Sequence, residues 1–495
     1  MLPGAGFSAQ HAAGDGGFEQ VTDTFALHIK KYADFLIPPR HGRNGRPPKF
    51  TIHPRQLLQW KQIQPVFRQY QKGASMKKLV IVSTVLSILL TACGGGGSAG
   101  LAESSRAREN TPNVDKADID SLVDGNNAFG LDLYQSLRNR DENLILSPFS
   151  ISLALAMTYS GARGETETQM ADTLNFTGRE RTHPAFNALD LALEAQGIIL
   201  DKEQEPMQLD IANAVFAEQT FAFLPDFLDT LSVNYGAGIR LMDFANNPDP
   251  SRKEINQWVS DETKDKINDL LPENAVTTNT KMVLVNAIYF KADWLSPFDA
   301  NDTYDGTFTL LDGSEVTAPM MGQRMYIPYY VGEGYAAAEL PYAGDSAVMT
   351  LLVPDAGRFE EIESQLNGAM FREMLANLAP ADVTLRMPKF EYESSFMLSD
   401  TLAAMGMPFA FDENRADFSG MTDQQALYIG NVIHKAFVAV DEEGTEAAAA
   451  TAVIMEGTSA MMPENELHID RPFIYFIRDL ESGQILFIGR VVNPQ

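Results

Sequence analysis

Asp441-Glu442-Glu443-Gly444-Thr445-Glu446-Ala447-Ala448-Ala449-Ala450-Thr451-Ala452-Val453-Ile454-Met455-Glu456-Gly457-Thr458-Ser459 is the stretch around which the chain is organised. Two apolar, strand-like runs flank it, Ala436-Phe437-Val438-Ala439-Val440 before and Arg471-Pro472-Phe473-Ile474-Tyr475-Phe476-Ile477 after. Its four consecutive alanines favour a helix. With period two it is an equally good strand, because Thr445, Ala447, Ala449, Thr451, Val453 and Met455 share one face that carries no charge or proline. The other face carries Glu446 and Glu456 near its ends. Gly444 stands where such a segment has to hinge, and glycine absorbs a large backbone rotation without steric cost. On these residues alone, a solvated Ala-rich loop or short helix and a strand competent to join a sheet both fit.

Separated motifs narrow the choice. They are Asn143-Leu144-Ile145-Leu146-Ser147-Pro148-Phe149-Ser150-Ile151, Val283-Leu284-Val285-Asn286-Ala287-Ile288-Tyr289-Phe290-Lys291, Arg386-Met387-Pro388-Lys389-Phe390, Ile433-His434-Lys435-Ala436 and the closing Phe487-Ile488-Gly489-Arg490-Val491-Val492-Asn493-Pro494. Together with the stretch above, and in this order, they resemble the serpins over roughly residues 118–495. The resemblance implies an α+β fold with a large, mainly antiparallel sheet, smaller sheets, about eight or nine helices and an exposed reactive-centre loop. Loop insertion into a sheet is a known mode of strand addition and switching in that family. It implies a suicide-substrate inhibitor of serine proteases and no enzyme. A serpin that does not inhibit, and serves as a binding or chaperone-like protein, is the alternative. The composition of the hinge (Glu442, Gly444, Thr445, Ala447, Ala449 and Thr451) speaks against it.

The resemblance also places the bond that a protease attacks. Counting Gly444 as the fifteenth residue before the cut puts the reactive bond between Thr458 and Ser459. Counting back from Pro472 selects Met461 and Met462 instead. The forward count is preferred, because the hinge side supplies the inserted strand. Thr458 is small and β-branched, and no Lys or Arg lies between Gly444 and Asp470. Elastase-like or subtilisin-like serine proteases are therefore the expected targets, with papain-like cysteine proteases as a further candidate class.

The folded body reads in the same sense. Ile119 to Leu137 has an amphipathic helical pattern, and Ser147 followed by Pro148 suits the cap and first turn of a largely apolar helix. Further helices are expected over residues 165–196 and from Ser251 to Leu271 around Trp258. Strands are expected at Gln208 to Phe216, Met282 to Phe290, Tyr326 to Leu340, Ser346 to Val353 and Ala381 to Tyr392. Asn286 interrupts the middle of a buried strand, and a buried amide without a partner costs on the order of 1–3 kcal/mol. The serpin resemblance supplies those partners, placing Ser147, Ser150, Asn286 and His434 together beneath the sheet in the region called the shutter. It also pairs Lys389 with Glu442 in a salt bridge that fixes where the loop leaves the sheet.

A serine hydrolase is the rival reading, since Ser147, Ser150 and His434 can be drawn as a triad with one of the many acids. The one literal G-x-S-x-G, Gly96 to Gly100, follows a glycine run and has neither the strand nor the helix that a nucleophile elbow needs. No H-E-x-x-H, cysteine cluster or phosphate loop occurs, so no metal or cofactor is expected.

The 495 residues are 45% hydrophobic with a net charge of −28, and a body this acidic argues against nucleic acid and heparin-like polyanions as partners. A monomer is expected. The single cysteine rules out an internal disulfide. Met76-Lys77-Lys78, the apolar run from Leu79 to Leu90 and Leu90-Thr91-Ala92-Cys93 read as a secretory leader ending in a box that resembles a bacterial lipoprotein cleavage site. Cys93 would then carry the lipid, and the protein would be exported and membrane-anchored in the cell envelope. Residues 1–75 are expected to be a misassigned upstream extension, 76–92 the leader, 93–117 a Gly/Ser-rich flexible tether and 118–495 the serpin domain.

Overall fold

The computed structural model describes residues 100–138, 141–196, 207–424, 427–445 and 465–495. In chain order its first half runs β1 (Gly100–Ala102), α1 (Lys116–Leu137), β2 (Leu144–Leu146), α2 (Pro148–Tyr159), α3 (Gly164–Leu174), α4 (Arg179–Gln196), β3 (Gln208–Glu218), α5 (Pro225–Tyr235), β4 (Ile239–Met242), α6 (Pro248–Glu262) and β5 (Met282–Asp293). Then follow β6 (Tyr304–Thr309), β7 (Glu315–Val331), β8 (Tyr335–Pro341), β9 (Ala347–Pro354), α7 (Phe359–Gln365), α8 (Gly368–Asn377), β10 (Ala379–Pro388), β11 (Phe390–Met397) and α9 (Ser399–Met405). The last elements are β12 (Asn431–Val440), β13 (Gly444–Thr445), β14 (Asn465–His468), β15 (Phe473–Asp479) and β16 (Ile485–Val491).

The strands form two sheets. One has the order β1-β4-β3-β5-β13-β12-β11, the other β14-β10-β7-β8-β9-β15-β16-β2 with β6 beside β7. Pairing is antiparallel except for β3 with β4, β5 with β12 and β10 with β14. The α+β expectation therefore holds, with nine α-helices among the described residues.

Burial explains why β5 reads as a continuous apolar run. Val283, Val285 and Ala287 face a small core beneath α6, while Leu284, Ile288 and Phe290 face the main core. Helix α2 fills the space behind the first sheet and is buried along its whole length. Its first turn starts as the sequence suggests, with the Ser147 side chain accepting from the Ser150 backbone N–H and Pro148 in the first position.

Two expectations are corrected. The helix sought from Ser251 to Leu271 stops at Glu262, because Lys264, Asp265 and Asp269 adopt left-handed backbone angles and the Ser260 hydroxyl bonds Asp265 and Asn268 instead. The flexible tether does not extend to residue 117. From Gly100 the chain is bound to the body, since β1 pairs with β4 and the polar residues after it find partners on α4 and α5. Arg108 donates to Asn187 Oδ1 at 2.8 Å, to Glu194 at 2.9 Å and to Asp190 at 2.5 Å. The backbone of Glu109 donates to Val233 and accepts from the Asn187 side chain.

Candidate functional site: the hinge and the seam below it

Strands β5 and β12 run parallel and are paired from Val283 with Asn431 to Ile288 with Ala436. Four residues higher, β13 lies between them. Gly444 is level with Asp293 and Thr445 with Ala292 on β5, and Val440 of β12 pairs with Thr445. The first residues of the hinge thus already occupy the top of the sheet. Thr445 is 1% exposed, and its hydroxyl is satisfied by the hydroxyl of Tyr342 at 2.7 Å.

Gly444 earns its identity from close approach and not from an unusual backbone angle. A Cβ on it would stand 2.2 Å from the carbonyl oxygen of Ala292 and 2.7 Å from Cα of Asp293. The approach to the hinge is held by a cluster that the sequence did not reveal. Trp294 donates its backbone N–H to Glu443 at 2.8 Å and its indole N–H to Asp441 at 3.0 Å, and its ring stacks on Tyr342 with centroids 4.6 Å apart. The Asp441 carboxylate accepts the backbone N–H groups of Glu443 and Gly444.

Lys389 and Glu442 meet at 2.7 Å. Thr303 also donates to Glu442, at 2.7 Å, and Phe298 donates its backbone N–H to the Glu442 carbonyl. Burial works to raise the Glu442 pKa, but the hydrogen bonds from Lys389 and Thr303 outweigh it and hold the carboxyl below its usual range.

Midway down the seam, Ser147, Ser150, Asn286 and His434 come together. His434 and Asn286 are paired across the parallel ladder, and Nδ1 of the ring contacts Oδ1 of the amide. Nε2 accepts the Ser147 backbone N–H at 3.1 Å, so the proton sits on Nδ1 and is donated to Asn286. The Asn286 amide N–H groups go to Ser150 Oγ and to Oδ1 of Asn213, which in turn donates to the Ser150 carbonyl at 3.2 Å. Asn213 completes the cluster and was missed, although an amide in the apolar run of β3 was a usable signal. Burial pushes the His434 pKa down to about 3, and the ring is neutral.

The triad of the hydrolase reading does not assemble. Ser147 meets the imidazole through its backbone N–H, while its hydroxyl oxygen is engaged as a helix cap. The ring's other partner is an amide and not a carboxylate. Ala447, Ala449, Thr451, Thr458, Ser459, Met461, Met462 and Cys93 lie outside the described residues.

The serpin model, described as a serine protease inhibitor, matches residues 124–494, and the chain belongs to the serpin family. A leukocyte elastase inhibitor of Xenopus laevis is 39% identical over 375 residues, covering 74% of this chain and 97% of its own. Uncleaved ovalbumin is 27% identical with a TM-score of 0.69, covering 76% of this chain and 100% of its own. The thermophilic serpin tengpin in its native state is 28% identical, also with a TM-score of 0.69, covering 80% of this chain and 100% of its own.

Two predictions follow from the geometry. Gly444→Ala should drive the hinge out of the sheet, because a Cβ cannot coexist with the Ala292 carbonyl. With Trp60 and Trp258 replaced by Phe so that Trp294 alone emits, tryptophan emission should shift to the red and protease attack on the loop should accelerate. Unchanged emission and cleavage would show that the sheet accommodates the methyl.

His434 and His183 are both buried with pKa values of about 3. In the unfolded chain they titrate near 6.5, so below that pH the unfolded state binds protons that the native state does not. Stability should be full above about pH 6.5 and fall toward pH 3, with a slope approaching about 2.7 kcal/mol per pH unit for the two rings. Release of Glu442 from Lys389 adds to the loss below the ordinary carboxyl value of 4.5. Denaturant melts across this range check the slope, which His434→Gln should roughly halve.

Proposed function

We propose that this serpin is a suicide-substrate inhibitor of elastase-like or subtilisin-like serine proteases. The observation that carries the reading is Thr445, buried between β5 and β12 in strand register. With Thr445 facing the core, period two sends Ala447, Ala449 and Thr451 the same way as the strand grows. The relative whose name includes leukocyte elastase supports the target class.

In this mechanism the serine of the protease attacks the carbonyl of Thr458. The peptide bond to Ser459 breaks, the new amine leaves with the C-terminal fragment, and Thr458 remains as an ester on the enzyme. The freed hinge side then inserts downward, parting β5 from β12 at the His434–Asn286 level. The ester-linked protease is carried with it and distorted before water can release it. The uncleaved form is thus held kinetically above a more stable one. Papain-like cysteine proteases remain a further target class, with a thioester in place of the ester.

Thr445→Arg tests the insertion step. A charge in the position of Thr445 has no partner inside the sheet, and burying it is costly. The variant should stay folded and be cleaved without forming an SDS-stable complex. Wild-type amounts of complex would refute insertion. For the wild type, mass spectrometry of the released peptide should show it beginning at Ser459, whereas Met462 as its first residue moves the bond to Met461.

We also infer that the protein is exported and lipid-anchored through Cys93. The support is the basic start at Met76, the apolar run and the Leu90-Thr91-Ala92-Cys93 box. Intact-mass analysis of the membrane fraction should find a diacylglycerol-modified chain starting at Cys93. An unmodified Cys93, or a mature chain that keeps residues 1–75, overturns it.

A further inference from the structure

The docked stretch that begins with β1 has a geometric consequence. Gly100 is level with Leu241 of β4, Leu241 with Ala217 of β3, and Ala217 with Met282, the first residue of β5. The hinge is level with Asp293, the last residue of β5. Eleven residue steps at about 3.3 Å each separate the two levels by about 35 Å along the strands. Direction matters as much as level. β1 is antiparallel to β4, β4 is parallel to β3, and β3 is antiparallel to β5. Therefore β1 points toward the hinge pole, and its first residue, Gly100, lies at the opposite one.

We propose that residues 100–109 are a mount that makes a surface-held molecule present its reactive loop away from the surface. The proposal rests on the lipid-anchored reading through Cys93. Only seven peptide steps join Cys93 to Gly100, and at full extension they span at most about 25 Å. That reach is shorter than the distance of about 35 Å between the two ends of β5. An inverted stance, with the hinge pole against a bilayer, would lift Gly100 farther from it than the chain can reach. The upright stance brings the lower pole to the bilayer and leaves the loop open to a protease in the medium.

The mount is made by specific bonds. Beyond the β1–β4 ladder, the Ser104 hydroxyl donates to Asp229, the Ser232 hydroxyl donates to the Arg106 carbonyl, and Arg108 is gripped by Asn187, Asp190 and Glu194. Burial works against the Arg108 charge, but the Asp190 and Glu194 carboxylates more than offset it and raise its pKa. Were these bonds absent, the free chain would run from Cys93 to the start of α1 at Lys116. Its 23 steps can span roughly 80 Å, enough for either pole to face the surface.

The test couples the full chain through Cys93, its one cysteine, to a maleimide lipid in a phosphatidylcholine bilayer that contains acceptor-dye lipids. A donor dye is attached through a non-natural amino acid at one of two exposed positions. Thr278 lies just before β5, and Asp302 lies beside Thr303 at the Glu442 end. Acceptor lipids should quench the dye at Thr278 several-fold more than the dye at Asp302. Equal quenching, or stronger quenching at Asp302, overturns the proposal. Replacing residues 100–109 by a Gly/Ser run of the same length, which removes the β1 side chains together with Ser104 and Arg108, should bring the two signals together while thermal unfolding still shows a folded body. A difference that persists in this variant overturns the mount as its cause. Chemical coupling makes the result independent of natural lipidation, so an unmodified Cys93 in cells would refute the anchor alone.

Discussion

The parallel ladder between β5 and β12 is the constraint on which the rest of the molecule depends. It closes the centre of the first sheet over six residue pairs, and it is the seam that the proposed insertion has to open. Its midpoint is a polar pair, His434 with Asn286, set in an apolar environment. Such a pair contributes only when each group is satisfied, and here Ser147, Ser150 and Asn213 supply the remaining partners. Separation of the strands takes Asn286 from His434 and leaves the ring with the Ser147 N–H. The seam therefore has a preferred closed state without being made of unbreakable apolar packing.

Above the seam the chemistry changes. The hinge is held by contacts from three directions, with Trp294 and Tyr342 beneath it, Lys389 and Thr303 at Glu442, and the backbone of β5 against Gly444. Each of these contacts is made by residues 441–445, at the upper end of the hinge. Stability and readiness are thus separated in space, with one set of groups closing the sheet and another keeping the hinge in line with the gap.

Much of this was legible in the sequence, for reasons that differ from residue to residue. Asn286 announced itself as an amide in an apolar strand, and Ser147 before Pro148 as a helix start, because both signals are local. Trp294 and Tyr342 gave no such sign, since aromatic residues in strand-like sequence suit any core and these two acquire meaning only where β5 ends beside β8. Asn213 carries the same local sign as Asn286, an amide inside the apolar run Ile211 to Ala217, and only its partners Ser150 and Asn286 lie out of reach of the sequence. The Gly/Ser-rich composition before Lys116 described the chain but not its partners, Asp190, Glu194 and Asn187, which lie far along the sequence. The early end of α6 depends on three left-handed residues that propensity did not foresee.

The two residues of β13 also bear on the order of events in the proposed insertion. Starting a strand in the middle of a sheet is a nucleation problem, since backbone freedom is surrendered before the compensating ladder forms. Gly444 and Thr445 are already in register between their neighbours, so the proposed insertion would start from a formed nucleus. In the proposed insertion what would remain is propagation, in which each added pair would unzip one rung of the old seam and form rungs on both sides of the new strand.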